Sequence, residues 1–260
     1  MFVVVAATLA ALTANVWLAG GLVQQQRSGS RERDFWALCQ PGFTPLERET
    51  AFRHLVAGGN REWRAADLLG LNLAGISMPG ADLQNARFLR ASLVGANLVG
   101  AKLCGVTLEL ADLTGAELSQ ANLAEARFLQ AILKGATFRR ANLRACSLEQ
   151  VQAENADFMA ADLSDADCLM ANLTGAKLMG AKFSGARLES AVLKDANLSL
   201  ARFDGADLTD TDFTNANWWC ANGLTTQQLE LLKKKFSPTA TAAPALKDDY
   251  ARWAGGWGPR

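Results

Sequence analysis

The sequence is poor in the side chains from which most enzymes and metal sites are built. His54 is the only histidine in 260 residues, so a histidine-based metal site or a histidine-assisted hydrolytic triad lacks its parts. The five cysteines, Cys39, Cys104, Cys146, Cys168 and Cys220, are odd in number and include no C-x-x-C pair. That spacing argues against a zinc knuckle and a disulfide framework, and the cysteines read as free thiols. Net charge is zero, with 26 Lys and Arg against 26 Asp and Glu. Binding nucleic acid through its phosphates needs a basic excess that is absent. Neither a Gly-rich phosphate loop nor a G-x-S-x-G motif occurs. No catalytic residue, cofactor or metal ligand is expected.

Half of the residues are apolar, enough for an ordered core. Residues 2–23 carry no charge and match the roughly 20 residues that cross a bilayer as a helix. No Lys or Arg precedes them, so the basic start of a secretory signal is missing, while Arg27, Arg31 and Arg33 follow. The expectation is an apolar membrane-anchoring helix over 1–23, with the remainder on the cytoplasmic side. The alternatives are a cleaved leader, a start-site artefact, and a chain that is soluble in the cytoplasm or translocated. Residues 24–43 read as a linker. Thr44-Pro45 is an N-cap followed by proline at the first helical position, Glu47 and Glu49 suit the first turn, and Gly58-Gly59 stops the helix. A capping helix of about 45–57, within a segment 44–65, is predicted on this basis.

From Ala66 to Ala221 a large residue, mostly Leu or Phe, recurs every five residues without a slip of register, from Leu68, Leu73 and Met78 to Leu208, Phe213 and Trp218. Two residues earlier a small side chain dominates (Ala81, Ala86, Ala91), and Asp or Asn often lies between (Asp67, Asp82, Asn97). On a helix, steps of five residues would rotate the large side chain by about 140° and scatter it around the surface. On a straight strand, five is odd, so successive large residues would point to opposite faces. The pattern closes only if the chain turns once per pentad toward the same side. Four turns then make a coil of 20 residues, stacked at ~4.8 Å, giving about eight coils and a rod of about 37 Å. Glycines such as Gly70, Gly75, Gly95 and Gly100 stand two residues after the large one, where a positive φ is cheapest.

Stretches such as Ala96-Asn97-Leu98-Val99-Gly100 and Ala206-Asp207-Leu208-Thr209-Asp210 resemble the A(D/N)LXX unit of the pentapeptide-repeat family. The resemblance implies an all-β chain, a right-handed quadrilateral β-helix. Some units depart from the pattern. Ala153 stands at a large position and Val151 at a small one, a volume exchange that predicts local repacking. Leu71 and Ile76 replace alanine, which suggests a wider, capped first coil. Thr225 and Gln228 are spaced as a capping box for a second capping helix within 222–236. Residues 237–260 read as a mostly disordered tail.

Surface chemistry points to binding. The repeat carboxylates sit at outward positions that the fold needs polar in any case. One side stands out: Leu69, Leu89, Leu129 and Leu169 stack at twenty-residue spacing just after the large residue, with Leu110 and Met170 beside them. Such a stripe is the candidate interface for a protein partner of unknown identity or a homodimer. Met159 and Met179 form a weaker pair on another side. Some family members mimic DNA and bind type II topoisomerases such as gyrase, which requires a strongly acidic face. Residues 66–221 hold 18 Asp and Glu against 13 Lys and Arg, with Lys134, Arg139, Arg140 and Arg144 forming a basic belt. The primary reading is therefore a non-enzymatic scaffold solenoid, tethered to the membrane. The alternatives are a topoisomerase-binding DNA mimic and a structural or assembly factor at the membrane.

Overall fold

The computed structural model describes Asp34, Ala37, Leu38 and residues 42–240 and 242–257. The apolar segment 2–23, most of the linker and Cys39 lie outside the described residues. Among the described residues no helix is long and apolar enough to cross a membrane.

The pentad shapes the backbone as its period requires. The polar residue before each large side chain forms a parallel bridge to the residue twenty positions on, as in Asp67↔Arg87, Asn72↔Ser92, Ser77↔Asn97 and Asp82↔Lys102. One side runs from Glu62 through Asp82, Lys102, Asn122, Asn142, Asp162, Lys182 and Arg202 to Asn222. A turn in every pentad leaves one residue per side in the ladder. The β-ladder is carried by isolated bridges: among the described residues the coils hold no named strand.

Each corner is a β-turn in which the carbonyl of the large residue accepts the N–H three residues on, as in Ala86 N to Leu83 O at 3.0 Å. The third turn residue has a positive φ in every unit, and glycine is not required there. Eighteen non-glycine residues adopt this conformation within the repeat region, among them Leu110 (φ 58), Arg140 (φ 56) and Met170 (φ 55). Left-handed backbone costs an L-residue roughly 1–2 kcal/mol. The stacked coil holds it in place, because the same residue's N–H donates to the next coil. Leu110 N bonds Leu129 O and Arg140 N bonds Met159 O, both at 3.0 Å.

The large and small positions fill the interior together. Because coils repeat at about 4.8 Å, aromatic rings on one side stack flat: Phe138 on Phe158 at 4.9 Å and 6°, Phe183 on Phe203 at 5.2 Å and 4°. Val151 and Ala153 are both buried, so the exchanged pair still shares one core layer. Cys168 is fully buried, and burial, aided by the Asp167 charge, pushes its thiol up to about 12. Such a thiol is chemically quiet.

Both ends are closed. Helix α1, Pro45–Ala57, starts from a capping box of Thr44 and Glu47 and buries Ala51, Phe52, Leu55 and Val56. Phe52 meets Trp63 at 4.4 Å between ring centroids, above the buried Leu71 and Ile76. The first coil has carbonyls with no coil above them to bond. Arg48 Nη2 donates to Asp67 O at 2.6 Å, and Arg53 Nη2 donates to Asn72 O at 2.8 Å and Ala74 O at 3.1 Å. These arginines stand near the register of a missing coil, and their guanidinium groups replace its N–H donors.

At the other end a single 3-10 turn, Trp218–Cys220, leads to helix α2, Thr226–Phe236, whose capping box is Thr225 and Gln228. Leu232 is buried, and Trp218 Nε1 donates to Phe236 O at 3.0 Å. The reading of 237–260 as disordered is corrected in part. A third helix, α3, spans Pro244–Arg252, and Trp253–Trp257 continues as one π-helical turn. Aromatic packing holds it: Trp219 to Tyr250 at 5.0 Å and Trp218 to Trp253 at 5.3 Å, with Trp219 Nε1 donating to Asp249 Oδ2 at 2.9 Å. Lys233, in the last turn of α2, has Nζ 4.9 Å from the Trp253 ring centroid.

Two glycines separate backbone strain from close approach. Gly100 (φ 65) has open space where a Cβ would go, whereas a Cβ on Gly223 (φ 78) would lie 2.6 Å from Asp204 N. Gly100→Ala is expected to cost about 1 kcal/mol and Gly223→Ala more than about 2 kcal/mol. Chemical denaturation of both variants checks the order, and equal losses would contradict it.

Candidate protein-binding face

The ladder brings all six sequence-predicted residues onto one side. Gly70 N donates to Leu89 O, Leu110 N to Leu129 O and Gln150 N to Leu169 O, at 2.9, 3.0 and 2.9 Å. Leu69, Leu89, Leu129 and Leu169 therefore share the column after the large core residue, and Leu110 and Met170 share the adjoining left-handed column. Leu69, Leu110 and Met170 are exposed at 40%, 42% and 55%; Leu89, Leu129 and Leu169 are half-buried. The stripe is not uniformly apolar. Glu109, Glu149 and Glu189 interrupt it in the same column, and Glu109 Oε1 pairs with Arg127 Nη2 at 2.7 Å. A further exposed apolar residue, Leu200 at 63%, was not singled out from sequence. It lies in the turn column beside Met179, which is 37% exposed, and the five-residue register of that column was the available signal.

The Asp and Asn positions have a local job. Each side chain accepts the N–H two residues on: Leu69 N to Asp67 Oδ1 at 3.3 Å, Thr114 N to Asp112 Oδ1 at 2.9 Å, Leu169 N to Asp167 Oδ1 at 3.0 Å. This side-chain turn braces the corner, which is why short acceptors recur there. Among the described residues no group of His, Cys, Asp or Glu is arranged to hold a metal ion.

Charge is also knitted along the ladder. Asp82 Oδ2 lies 2.7 Å from Arg64 Nη2 and 3.8 Å from Lys102 Nζ; Asp157 Oδ2 lies 2.7 Å from Arg139 Nη2. Within the predicted basic belt, Lys134 pairs with Glu154 at 3.4 Å and Arg144 with Asp165 at 3.2 Å. The acidic excess is thus broken up by cations from neighbouring coils. Asp82 is only 3% exposed. Burial works to raise its pKa, but the Arg64 hydrogen bond, the Gln84 N–H and the Arg64 and Lys102 charges together hold it below the usual carboxylate value.

The family model for pentapeptide repeats matches in eight copies, over residues 72–109, 111–150, 141–180, 156–195 and 181–217. The chain belongs to the pentapeptide-repeat family. Its coils are therefore those of a right-handed β-helix, in a family that is generally non-enzymatic. Among solved structures, HetL, a pentapeptide repeat protein involved in heterocyst differentiation regulation from the cyanobacterium Nostoc sp. strain PCC 7120, is 25% identical. The match covers 64% of this chain and 95% of that one, with a TM-score of 0.37. QnrB1, a plasmid-mediated fluoroquinolone resistance protein, is 20% identical over 65% and 94% of the two chains, with a TM-score of 0.44. A thylakoid-lumen pentapeptide repeat protein of Arabidopsis thaliana is 30% identical over 53% and 85%, with a TM-score of 0.19. No curated protein matches the chain.

The Asp82 site makes stability depend on pH. A carboxyl whose folded pKa lies below its unfolded value contributes stability above the unfolded pKa and loses it as pH falls through the folded one. Stability is therefore expected to decline below about pH 4. Asp82→Asn should cost roughly 1–2 kcal/mol at neutral pH and flatten that acid slope. Urea titrations of both proteins from pH 7 downward check this, and parallel slopes would refute it.

Proposed function

We propose that this pentapeptide-repeat protein is a non-enzymatic scaffold that binds a protein partner through the face bearing Leu69, Leu89, Leu110, Leu129, Leu169 and Met170. The observation that carries the reading is the exposure of Leu69, Leu110 and Met170 on one side of a rigid ladder. Nothing in the fold needs apolar side chains there. The left-handed column accepts Gln130 and Gln150 equally well, so Leu110 and Met170 owe nothing to turn geometry. Exposed apolar surface on a rigid support is what a partner desolvates. The uncharged run 2–23, followed by Arg27, Arg31 and Arg33, supports a tether that keeps this face on the cytoplasmic side of a membrane.

A second reading rests on the acidic excess of the repeat, 18 Asp and Glu against 13 Lys and Arg, and makes the rod a gyrase-directed mimic of DNA. The cross-coil ion pairs weigh against it, since a polyanion surface needs unpaired charge.

Tagged full-length protein, solubilised from native membranes, is expected to capture a partner that the Leu110→Glu, Met170→Glu double variant loses. Equal recovery by both proteins would exclude this face. The same membranes should retain the chain through a carbonate wash, and its release would exclude the tether. Gyrase supercoiling in the presence of a fluoroquinolone should be unprotected by the protein at micromolar concentration; protection would favour the second reading.

A further inference from the structure

Besides exposing apolar groups, the proposed binding face carries an ordered row of charges. Bridges link Asp67, Arg87, Thr107, Arg127, Ser147, Asp167 and Arg187 in one column. Near the top of this row Arg87 pairs with Asp67 at 3.6 Å; near the bottom Arg187 pairs with Asp167 at 3.4 Å. All four side chains remain between 34% and 56% exposed, so each has charge to offer outward.

The order of the two pairs reverses about Arg127. Asp67 and Arg187 lie three coils to either side of it, and Arg87 and Asp167 lie two coils to either side. In the neighbouring column Leu89 and Leu169 lie two coils to either side of Leu129. From this arrangement we infer that the face is self-complementary and that a second copy of this chain docks on it, antiparallel, about a two-fold axis at Leu129. The inference rests on the binding role proposed above for this face and names its occupant.

A two-fold axis in the plane between two such faces, perpendicular to the solenoid, lays each column against its own copy running the other way. Leu129 then meets Leu129 of the second copy, and Leu89 meets Leu169. Asp67 comes opposite Arg187, and Arg87 opposite Asp167, so each internal pair completes a square of alternating charge. The register has costs: Arg127 meets its own copy on the axis, Glu109 comes opposite Glu149 and Leu69 opposite Glu189. Arg127, which already pairs with Glu109 at 2.7 Å, stands between them on both copies.

Neighbouring registers differ. Moving the axis half a coil toward the C-terminus sets Arg87 against Arg187 and Leu89, Leu129 and Leu169 each against a glutamate. Moving it a full coil sets Glu149 against itself and Glu109 against Glu189, and leaves Leu89 opposite Thr209. Like charges directly opposite are unfavourable; of these three registers, the one at Leu129 pairs Leu89 with Leu169 and Asp67 with Arg187. Six steps of about 4.8 Å give a contact roughly 29 Å long, one face wide. This is a small interface, so the dimer is weak and salt-sensitive.

Sedimentation velocity of the full-length chain in mild non-ionic detergent tests the idea. The wild-type protein should pass from monomer to dimer as concentration rises to about 100 μM, as a weak interface implies, and the dimer should weaken in 1 M salt. Leu129→Glu should be monomeric with an unchanged circular dichroism spectrum. Asp67→Arg alone and Arg187→Asp alone should each weaken the dimer about tenfold, because each reverses two symmetry-related contacts. Mixing these two variants should restore dimer, since Arg at 67 of one chain then faces Asp at 187 of the other, and the reverse contact is also satisfied. A wild-type chain that stays monomeric, variants that stay dimeric, or a mixture that fails to recover would each overturn the proposal. The partner-binding reading fails separately: a chain that dimerises as described but captures nothing from membranes retains this inference and loses that one. A monomer that still captures a partner through Leu110 and Met170 does the opposite.

Discussion

The bond on which the structure rests is the one from the third turn residue to the coil beyond it. Every corner from Leu68 to Phe213 places a residue at positive φ, and eighteen of these are not glycine. An isolated turn with Leu, Arg or Met in that conformation would relax. Up to the last coil, such an N–H is engaged by a carbonyl of the next coil, as Met170 N is by Glu189 O at 3.0 Å. A coil is therefore held in shape by its neighbour, and strain at the corners is offset along the stack. The same dependence makes the ends vulnerable. That is why α1 sends Arg48 and Arg53 to the first coil's carbonyls, while α2 and α3 cover the last coil with an aromatic layer.

This arrangement also governs what the surface can do. Bridges at twenty-residue spacing put outward side chains in straight columns, so neighbouring charges interact in fixed pairs. Asp82 with Arg64 and Lys102, and Asp157 with Arg139, are neutralised within the rod. Carboxylates used in this way brace corners and stitch coils together, which leaves little for acid–base chemistry. What remains for recognition is the order of side chains along a column. On the proposed binding face, Leu69, Leu110 and Met170 depart from the needs of the fold.

Much of this was legible beforehand, and the reasons are particular. The register from Leu68 to Trp218 is readable because a five-residue period is compatible with neither a helix nor a strand. The two helix starts are readable because Thr44 with Glu47 and Thr225 with Gln228 are local hydrogen-bond devices. Leu71 and Ile76 signalled a capped first coil because their bulk has no place under another coil. Other features were less accessible. The α3 segment looked like a low-complexity tail, although Pro244 at a helix start and the Tyr250, Trp253 spacing were signals in the chain. Leu200 was passed over because its exposure depends on where its column runs relative to Met179. The interruption of the leucine stripe by Glu109, Glu149 and Glu189 could be read from the numbering, but its ion pairing could not.

By itself the sequence determined the period, and with it the solenoid, the core positions and the side chains that share a face. Hydrophobic burial admits one solution to a strict pentad, and that solution follows from counting along the chain. Only the tertiary structure decided that non-glycine residues would take left-handed turns, that arginines would stand in for a missing coil, and that an aromatic tail would seal the far end. These depend on contacts between residues distant in sequence. Their energies come from where the stacked backbone places donors, acceptors and rings, which no local pattern records.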